Sequence, residues 1–491
     1  MFLGIDLGTS GLKVILLDRA HQVRASASAP LTVQQPQALW REQDPAAWWR
    51  ACEDALRAVL AQAAQAGIPP GSIEAIGLTG QMHGASCLDA QGAVLRPAIL
   101  WNDGRAHAEC AELEARVPAS RRITGNLMMP GFTAPKLLWL ARHEPQVFAQ
   151  LGMVLLPKDY LRWQLTGDFA SDLSDAAGTL WLDVGRRDWS DALLAATGLS
   201  RAQMPRLHEG TEVTGRLRAD VARRFGLGPI PVVAGASDNA AGALGVGVVR
   251  AGQAMLSLGT SGVCFVAADG FVANPAQAVH SFCHALPDTW HLMSVMLSAA
   301  SCLDFTARLT GAADIGALLA EAQQQGLQGD TPLFLPYLNG ERTPHNNPAA
   351  QAVFFGMHAG TERADLVNAT LEGVGHGLAQ GIAALEAAGA QMASISLIGG
   401  GARSAYWAQM LADISGKTLL RRAEAEVGPS LGAARLAWMA CDGAPAGEVC
   451  TEPALVQAHE PVAARHRLHS ERGERFAQLY RQVASSFPAV T

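Results

Sequence analysis

The pentapeptide Leu-Gly-Thr-Ser-Gly occurs twice, at Leu7–Gly11 and at Leu258–Gly262, half a chain length apart. Each copy follows a short apolar run, Phe2–Ile5 in one case and Ala254–Ser257 in the other. Each precedes another, Leu12–Leu17 and Val263–Val266. An apolar run, a polar turn and a second apolar run read as strand, turn, strand. Such a turn exposes N–H groups and small hydroxyls and has no bulk to hold a phosphate away. One copy alone is ordinary turn chemistry. Two copies in matching context predict two related lobes that face one polyphosphate.

A chain of 491 residues has room for two large domains, each with its own core. Its 49% hydrophobic and 16% charged residues are those of an ordinary globular protein. A net charge of −7 and a pI near 6.1 argue against nucleic acid or an anionic membrane as the main partner. The N-terminus has no basic run ahead of its apolar residues, as a secretory leader would have. No stretch of about 18 uncharged apolar residues interrupts the pattern. The expected location is the cytoplasm. The eight cysteines are scattered without a CxxC pair and read as reduced thiols. His280-Ser-Phe-Cys283-His284 fits no structural zinc spacing and reads as a strand or turn with satisfied side chains.

Strands and helices alternate along the chain. A helix is expected over Pro45–Ala66, with Asp44 as N-cap and Pro45 at its first position; Gly67 and Pro69-Pro70 end it. Ile73–Leu78 reads as a buried strand leading into Thr79-Gly80-Gln81-Met82-His83-Gly84. Ala98–Leu100 leads into Trp101-Asn102-Asp103-Gly104-Arg105, and Ala134–Arg142 has helical spacing. Pro231–Gly235 reads as a strand that stops at Ala236-Ser237-Asp238-Asn239; the Ala240–Val248 run beyond it is either a close-packed helix or a hinge. In the second half, a long helix is expected from Glu362 to Ala384, capped by Thr361. A strand at Ile395–Ile398 is followed by Gly399-Gly400-Gly401 and a helix over Ser404–Ile414. This alternation predicts an α/β architecture, divided near residue 243 into lobes 1–243 and 244–491 that meet along a cleft. The Gly443–Glu460 tail carries no signal.

Four constellations bear chemistry. Asp6, at a strand end, can hold Mg²⁺; Gly8, Thr9 and Ser10 can offer N–H groups to phosphate, and Lys13 a positive charge or only a solvated strand lysine. This is no Walker A loop, since it lacks that spacing and opens a hairpin. Gly399–Gly401 lets backbone approach a flat ligand, and the helix beyond favours a polar group; the same glycines suit a strained turn. Asp238, at the end of an apolar strand, is either the N-cap of the segment that follows or a carboxylate placed to accept a hydroxyl proton. Gln81-Met82-His83-Gly84 and Trp101-Asn102-Asp103 mix donors, acceptors and a flat wall, which suits a polyol or plain loop structure.

Together these segments resemble the FGGY family of carbohydrate kinases, within the actin, hexokinase and Hsp70 ATPase superfamily. Within that family, the likeness is to the bacterial branch acting on D-xylulose. It runs over about residues 1–485. It is carried by Gly4-Ile-Asp-Leu-Gly-Thr-Ser-Gly, Gln81-Met-His-Gly, Trp101-Asn-Asp-Gly-Arg, Ile123–Trp139, Leu156-Pro-Lys-Asp-Tyr-Leu, Ser174-Asp-Ala-Ala-Gly-Thr179 and Gly340-Glu-Arg-Thr-Pro-His-Asn-Asn-Pro348. The Gly131–His143 stretch matches the family's first signature.

The resemblance implies a two-lobed, ribonuclease H-like, actin-like ATPase fold with a deep interdomain cleft. It implies ATP-dependent phosphorylation of D-xylulose at its C5 hydroxyl, Mg²⁺ as cofactor and a homodimer. By resemblance, Asp238 is the catalytic base and Asp6 the metal aspartate. Gly8, Thr9, Ser10 and Lys13 form the first phosphate loop, and Gly259 and Thr260 the second. Gly400, Gly401, Ala402 and Ser404 lie in the adenosine motif. Met82, His83, Trp101, Asn102, Asp103, Asp238 and Asn239 line the ketose pocket. One departure stands out: relatives carry Gly-Gly-Asp or Gly-Gly-Gly-Asp where this chain has Gly235-Ala-Ser-Asp238. Two other readings remain: a kinase of the same family for ribulose, gluconate or glycerol, or an actin-like or Hsp70-like ATPase, which needs no sugar pocket.

Overall fold

The computed structural model describes residues 1–423 and 428–488. The first sheet contains β1 (Phe2–Leu7), β2 (Gly11–Leu17), β3 (Val23–Pro30), β4 (Ala75–Gly80), β5 (Val213–Arg216), β6 (Pro231–Val233) and β7 (Ala236–Ser237). Its order is β5-β6-β4-β1-β2-β3, with β7 also beside β4. The second contains β8 (Ala254–Leu258), β9 (Gly262–Ala268), β10 (His280–Cys283), β11 (Trp290–Met296), β12 (Ser394–Ile398), β13 (Thr418–Arg422) and β14 (Leu455–His459), in the order β10-β11-β9-β8-β12-β13-β14. Both follow one plan. An antiparallel hairpin carries the pentapeptide turn, a third antiparallel strand extends it on one side, and a parallel strand joins its first arm on the other. This is the two-lobed, actin-like arrangement with a cleft between its halves. Among the described residues no helix is long and apolar enough to cross a membrane.

The two copies of the pentapeptide do not pair alike. In the first hairpin Leu7 faces Leu12 and Asp6 faces Lys13; in the second Leu258 faces Gly262 and Ser257 faces Val263. The second turn is one residue tighter, and a one-residue slip exchanges the faces of a strand. The strand ends also differ in sequence, with Asp6 in the first lobe and Ser257 in the second.

Helix α1 (Pro45–Gln65) starts where its signals place it, the Asp44 carboxylate accepting the Ala46 N–H. Its buried stripe of Trp48, Cys52, Leu56, Val59 and Ala63 lies against β2 and β3. Along the same lobe follow α2 (Thr133–His143), α3 (Pro157–Thr166) and α4 (Asp238–Gly245). The second lobe contributes α5 (Arg363–Ala387), α6 (Ala405–Ser415) and α7 (Gly428–Asp442). Helix α5 begins one residue later than expected and is capped by Glu362 in a reciprocal arrangement with Asp365. Thr361 is not the cap because its hydroxyl accepts the His358 N–H and closes the preceding turn. Part of the featureless tail forms β14, at the edge of the second sheet.

Helix α7 belongs by sequence to the second half but packs on β1, β4 and α4 of the first. The approach is backbone to backbone. A Cβ on Gly4 would run into Ser430 O, one on Gly77 into Ala433 O, and one on Gly432 into Ala241 O. On the other side of the cleft an apolar cluster mixes first-lobe residues such as Met82, Leu138 and Trp181 with Met255, Phe265, Phe282 and Met293. The lobes are thus joined at two places, one polar-backbone and tight, the other aromatic.

Gly77→Ala should lower the thermal unfolding midpoint, since overpacking a rigid backbone contact costs about 1–3 kcal/mol or more. Calorimetry checks this against Gly71→Ala, where a Cβ meets open space.

Candidate active site

Strands β1, β4 and β7 run parallel and side by side, with Asp6 beside Thr79 and Thr79 beside Ala236. Ligands of open α/β sheets bind at the carboxyl ends of such strands. Three segments leave the sheet there at one level: the Gly8–Ser10 turn, the Gln81–Gly84 turn and the head of α4, which is Asp238.

Asp238 is the first helical residue; the cap position belongs to Ser237, whose side chain makes no capping bond. The Asp238 Oδ1 accepts from the Asn239 N–H at 2.7 Å and from Asn239 Nδ2 at 2.9 Å. Burial nevertheless pushes the Asp238 carboxyl up to about 6. Asp6 is pushed higher, to about 7, by burial first and then by the charge of Asp238, against the pull of Lys13 across the strand pair. Asp238 ionises first, and its charge then holds the proton on Asp6. Two oxygen-rich carboxyls in each other's field, both short of solvent, form a donor set that suits a hard divalent cation.

In the first lobe, the Thr9 hydroxyl donates to Gln81 Oε1 at 3.0 Å and accepts from Trp101 Nε1 at 2.9 Å. Gln81 is bonded in turn to Gln43, which also holds the Thr9 carbonyl and the Trp48 indole. The first turn is therefore locked to the Trp101 loop through the Thr9 side chain and to Gln43 through the Thr9 carbonyl. His83 has a left-handed backbone, φ +68°, an uncommon strain for a non-glycine residue. Its carbonyl is held by Thr133 Oγ1 and by the buried Lys136 ammonium. Its Nδ1 lies 2.6 Å from Gly178 O and so carries the proton, which leaves Nε2 an acceptor. Burial pushes the ring down to about 3, so it stays neutral. Met82 is buried beside it. A Cβ on Gly178 would stand 2.6 Å from His83 Nδ1 and 2.8 Å from Met82 Cε.

Trp101 is exposed and so is Asn102. Asp103 is buried, with its carboxylate occupied by Arg105 and by the Arg41 N–H; it holds the loop from beneath. Beyond His83 a ladder of rings crosses to the second lobe. Phe132 lies 4.5 Å from His83 and 5.6 Å from His280, and Phe282, His291 and Phe265 continue it. His280–Cys283 is the strand expected. His284 and His291 are also buried, and burial pushes both rings down, against the backbone of Val248 and Cys283.

Two cavities flank the Gly399–Arg403 turn and share Gly400 and Arg403. One, of about 580 Å³, has Asp238, Asn239, Gly242, Ser257 and Ala402 in its wall. The other, of about 780 Å³, is lined by Gly259, Thr260, Asp304, Gly401, Ser404 and Tyr406. The Ser404 hydroxyl caps α6 by accepting the Trp407 N–H. Of the residues read as nucleotide-binding in the second lobe, Gly259, Thr260, Gly401 and Ser404 line the second hollow, Ala402 lines the first beside Asp238, and Gly400 lines both.

Residues 1–245 match the N-terminal domain of the FGGY family of carbohydrate kinases, and residues 254–441 its C-terminal domain. This chain belongs to the FGGY family of carbohydrate kinases. It is 58% identical over 484 residues to the xylulose kinase of Escherichia coli K12, covering 98% of this chain and 99% of the relative. It is 55% identical, with the same coverage, to that of Klebsiella pneumoniae. Its structure superposes on a "xyloylose kinase" from Brucella ovis with a TM-score of 0.94 and 46% identity over 99% of both chains. As an FGGY kinase the chain takes its phosphoryl group from ATP.

In this FGGY chain the motif at Ser174–Thr179 has a place that sequence reasoning left without a role: its Gly178 carbonyl orients His83. Asp304 and Tyr406, in the wall of the second-lobe hollow, stood outside every motif. Their only signal is position, Asp304 on the helix after the second hairpin and Tyr406 just past the glycine turn.

The ionised fraction of Asp238 falls as pH drops through about 6, which a reaction that needs its carboxylate form would register. The acid limb of kcat/KM is therefore expected near 6; a limb near the ordinary ~4 would mean a solvated carboxylate. Gly178→Ala should raise the acceptor KM by about tenfold or more through misplacement of His83 and leave the ATP KM unchanged, as steady-state kinetics would show.

Proposed function

We propose that this kinase transfers the γ-phosphoryl group of ATP to the C5 hydroxyl of D-xylulose, giving D-xylulose 5-phosphate and ADP. The observation that carries the chemistry is the Asp238 carboxylate at the head of α4, opening on the hollow that reaches Gly400. The choice of acceptor rests on the relatives named above, which match along nearly the whole chain.

In this reading Asp238 takes the hydroxyl proton as the oxygen attacks phosphorus in line, with Asn239 orienting it. The acceptor lies against Met82, His83, Trp101 and Asn102. His83 Nε2 accepts a sugar hydroxyl, and Asp103 keeps the Trp101 loop in place. The adenosine occupies the hollow lined by Gly401 and Ser404, and the phosphates pass Gly400 and Ala402. Backbone N–H groups of Gly8, Thr9 and Ser10 meet them from one lobe, those of Gly259 and Thr260 from the other, and Lys13 adds charge. Asp6 would hold Mg²⁺, which supplies charge neutralisation to the phosphates when bound. Phosphoryl transfer depends on positioning and electrostatics, so closure of lobes 1–243 and 244–491 that expels water serves both. A cytoplasmic homodimer belongs to the same reading.

An ADP-release assay with MgATP over D-xylulose, D-ribulose, gluconate and glycerol tests the acceptor; D-xylulose is expected to give the highest kcat/KM. A clear preference for another acceptor would displace it. Asp238→Ala is expected to lower turnover by roughly 10²–10⁴-fold with the fold intact by circular dichroism, and unchanged turnover would remove Asp238 from the role.

A further inference from the structure

Beneath the head of α4 lies a fully buried cluster of charges that the chemistry above does not use. Lys158 Nζ stands 2.5 Å from Asp159 Oδ1, 2.7 Å from Asp172 Oδ1 and 3.4 Å from Asp175 Oδ2. Arg162 lies 3.6 Å from Asp159, and Ser171 donates to Asp159 at 2.6 Å. All five charged side chains are without solvent exposure. Burial would lower the Lys158 pKa, but Asp159, Asp172 and Asp175 outweigh it and hold the ammonium charged. The Asp175 carboxyl is raised well above its ordinary range by burial, with Asp159, Asp172 and Asp238 adding to the effect against Lys158. It keeps its proton, so two cations meet two anions.

Such clusters stabilise less than packed apolar side chains of the same volume, so stability alone does not account for this one. What the cluster grips is one stretch of backbone. Arg162 donates to Val233 O at 3.0 Å and also to Ala234 O. Ser174 Oγ donates to Asp172 Oδ2 and accepts the Ser237 N–H at 3.0 Å. Between these grips lies Gly235, at φ +80° and packed on Leu78 O. The run Val233–Ser237 is thus fastened at both ends, and its next residue is Asp238.

We infer that Ser174 and Arg162 are positioning residues, which fix the peptide run ahead of Asp238 and so set where its carboxylate stands. The inference rests on Asp238 acting as base in the proposed reaction. It also gives the Ala236-Ser237 departure a context, since the bond from the Ser237 peptide N–H does not depend on the side chain at that position.

The test is a double-mutant cycle on the full chain, with the acceptor that the wild type uses best. Ser174→Ala removes the acceptor of the bond. Ser237→Pro removes its N–H, and the φ of −59° at Ser237 already suits proline. Each is expected to lower kcat about 10- to 100-fold with the ATP KM unchanged. The double variant should fall no further than the worse single one, because both remove the same bond. Should Ser174→Ala fail to fold, Ser237→Pro alone carries the kcat-against-KM test. Effects that multiply in the double variant, an unaltered kcat, or a kcat that falls only with the folded fraction would each overturn the inference. Failure of the reaction reading shows in the wild type, as turnover of no sugar, and so remains separate.

Discussion

The site depends on one close approach. Helix α7 lies on β1 and β4 with no side chain between them at Gly4 and Gly77, and on α4 with none at Gly432. Strand β1 delivers Asp6 and helix α4 begins with Asp238, so a single helix sets the separation of the two carboxyls. A methyl group at any of the three glycines would wedge those elements apart before it disturbed any polar contact. The helix comes from the far end of the chain, and its packing welds the second half onto the sheet of the first. The two halves are therefore joined at a contact with no side chain to yield. That suits phosphoryl transfer, where alignment and not covalent chemistry is what the protein supplies.

Duplication provided the plan of both lobes, and asymmetry provided the chemistry. The same pentapeptide closes both hairpins, but the second is one residue tighter. In the first lobe the register leaves Asp6 opposite Lys13 at the level of the crevice. In the second, Ser257 stands at the position of Asp6, and the strand end is neutral. Only the first lobe therefore brings a carboxyl to the end of its hairpin.

Much of this was legible in the chain. Local rules place α1 between Asp44 and Gly67, both hairpins, and the glycine turn ahead of α6, because each rests on residues adjacent in sequence. The failures are of two physical kinds. Competition for a single hydroxyl moved the cap of α5 from Thr361 to Glu362, since Thr361 was already bonded to His358. Long-range placement accounts for the rest. No periodicity says that the Gly428–Asp442 helix crosses to the other lobe, that Arg105 occupies the Asp103 carboxylate, or that Ser174 reaches the Ser237 peptide. Whether a buried ring finds a partner depends on strands remote in sequence, and here His284 and His291 meet mostly Phe265 and each other.

Proton balance ties these parts together. Asp6, Asp175 and Asp238 are three carboxyls whose fields overlap in a region poor in water, and they cannot all be charged. Asp175 is deepest and remains neutral; Asp238, steadied by the two bonds from Asn239, gives up its proton first; Asp6 waits on a cation. The order follows from burial, hydrogen bonding and the charges of neighbouring groups. A divalent cation at Asp6 would draw off that proton and also relieve the field that Asp238 feels. In such an arrangement a cation at Asp6 and an ionised Asp238 would favour each other, which under the proposed reaction would let a metal-bound donor prepare the carboxylate that takes the proton.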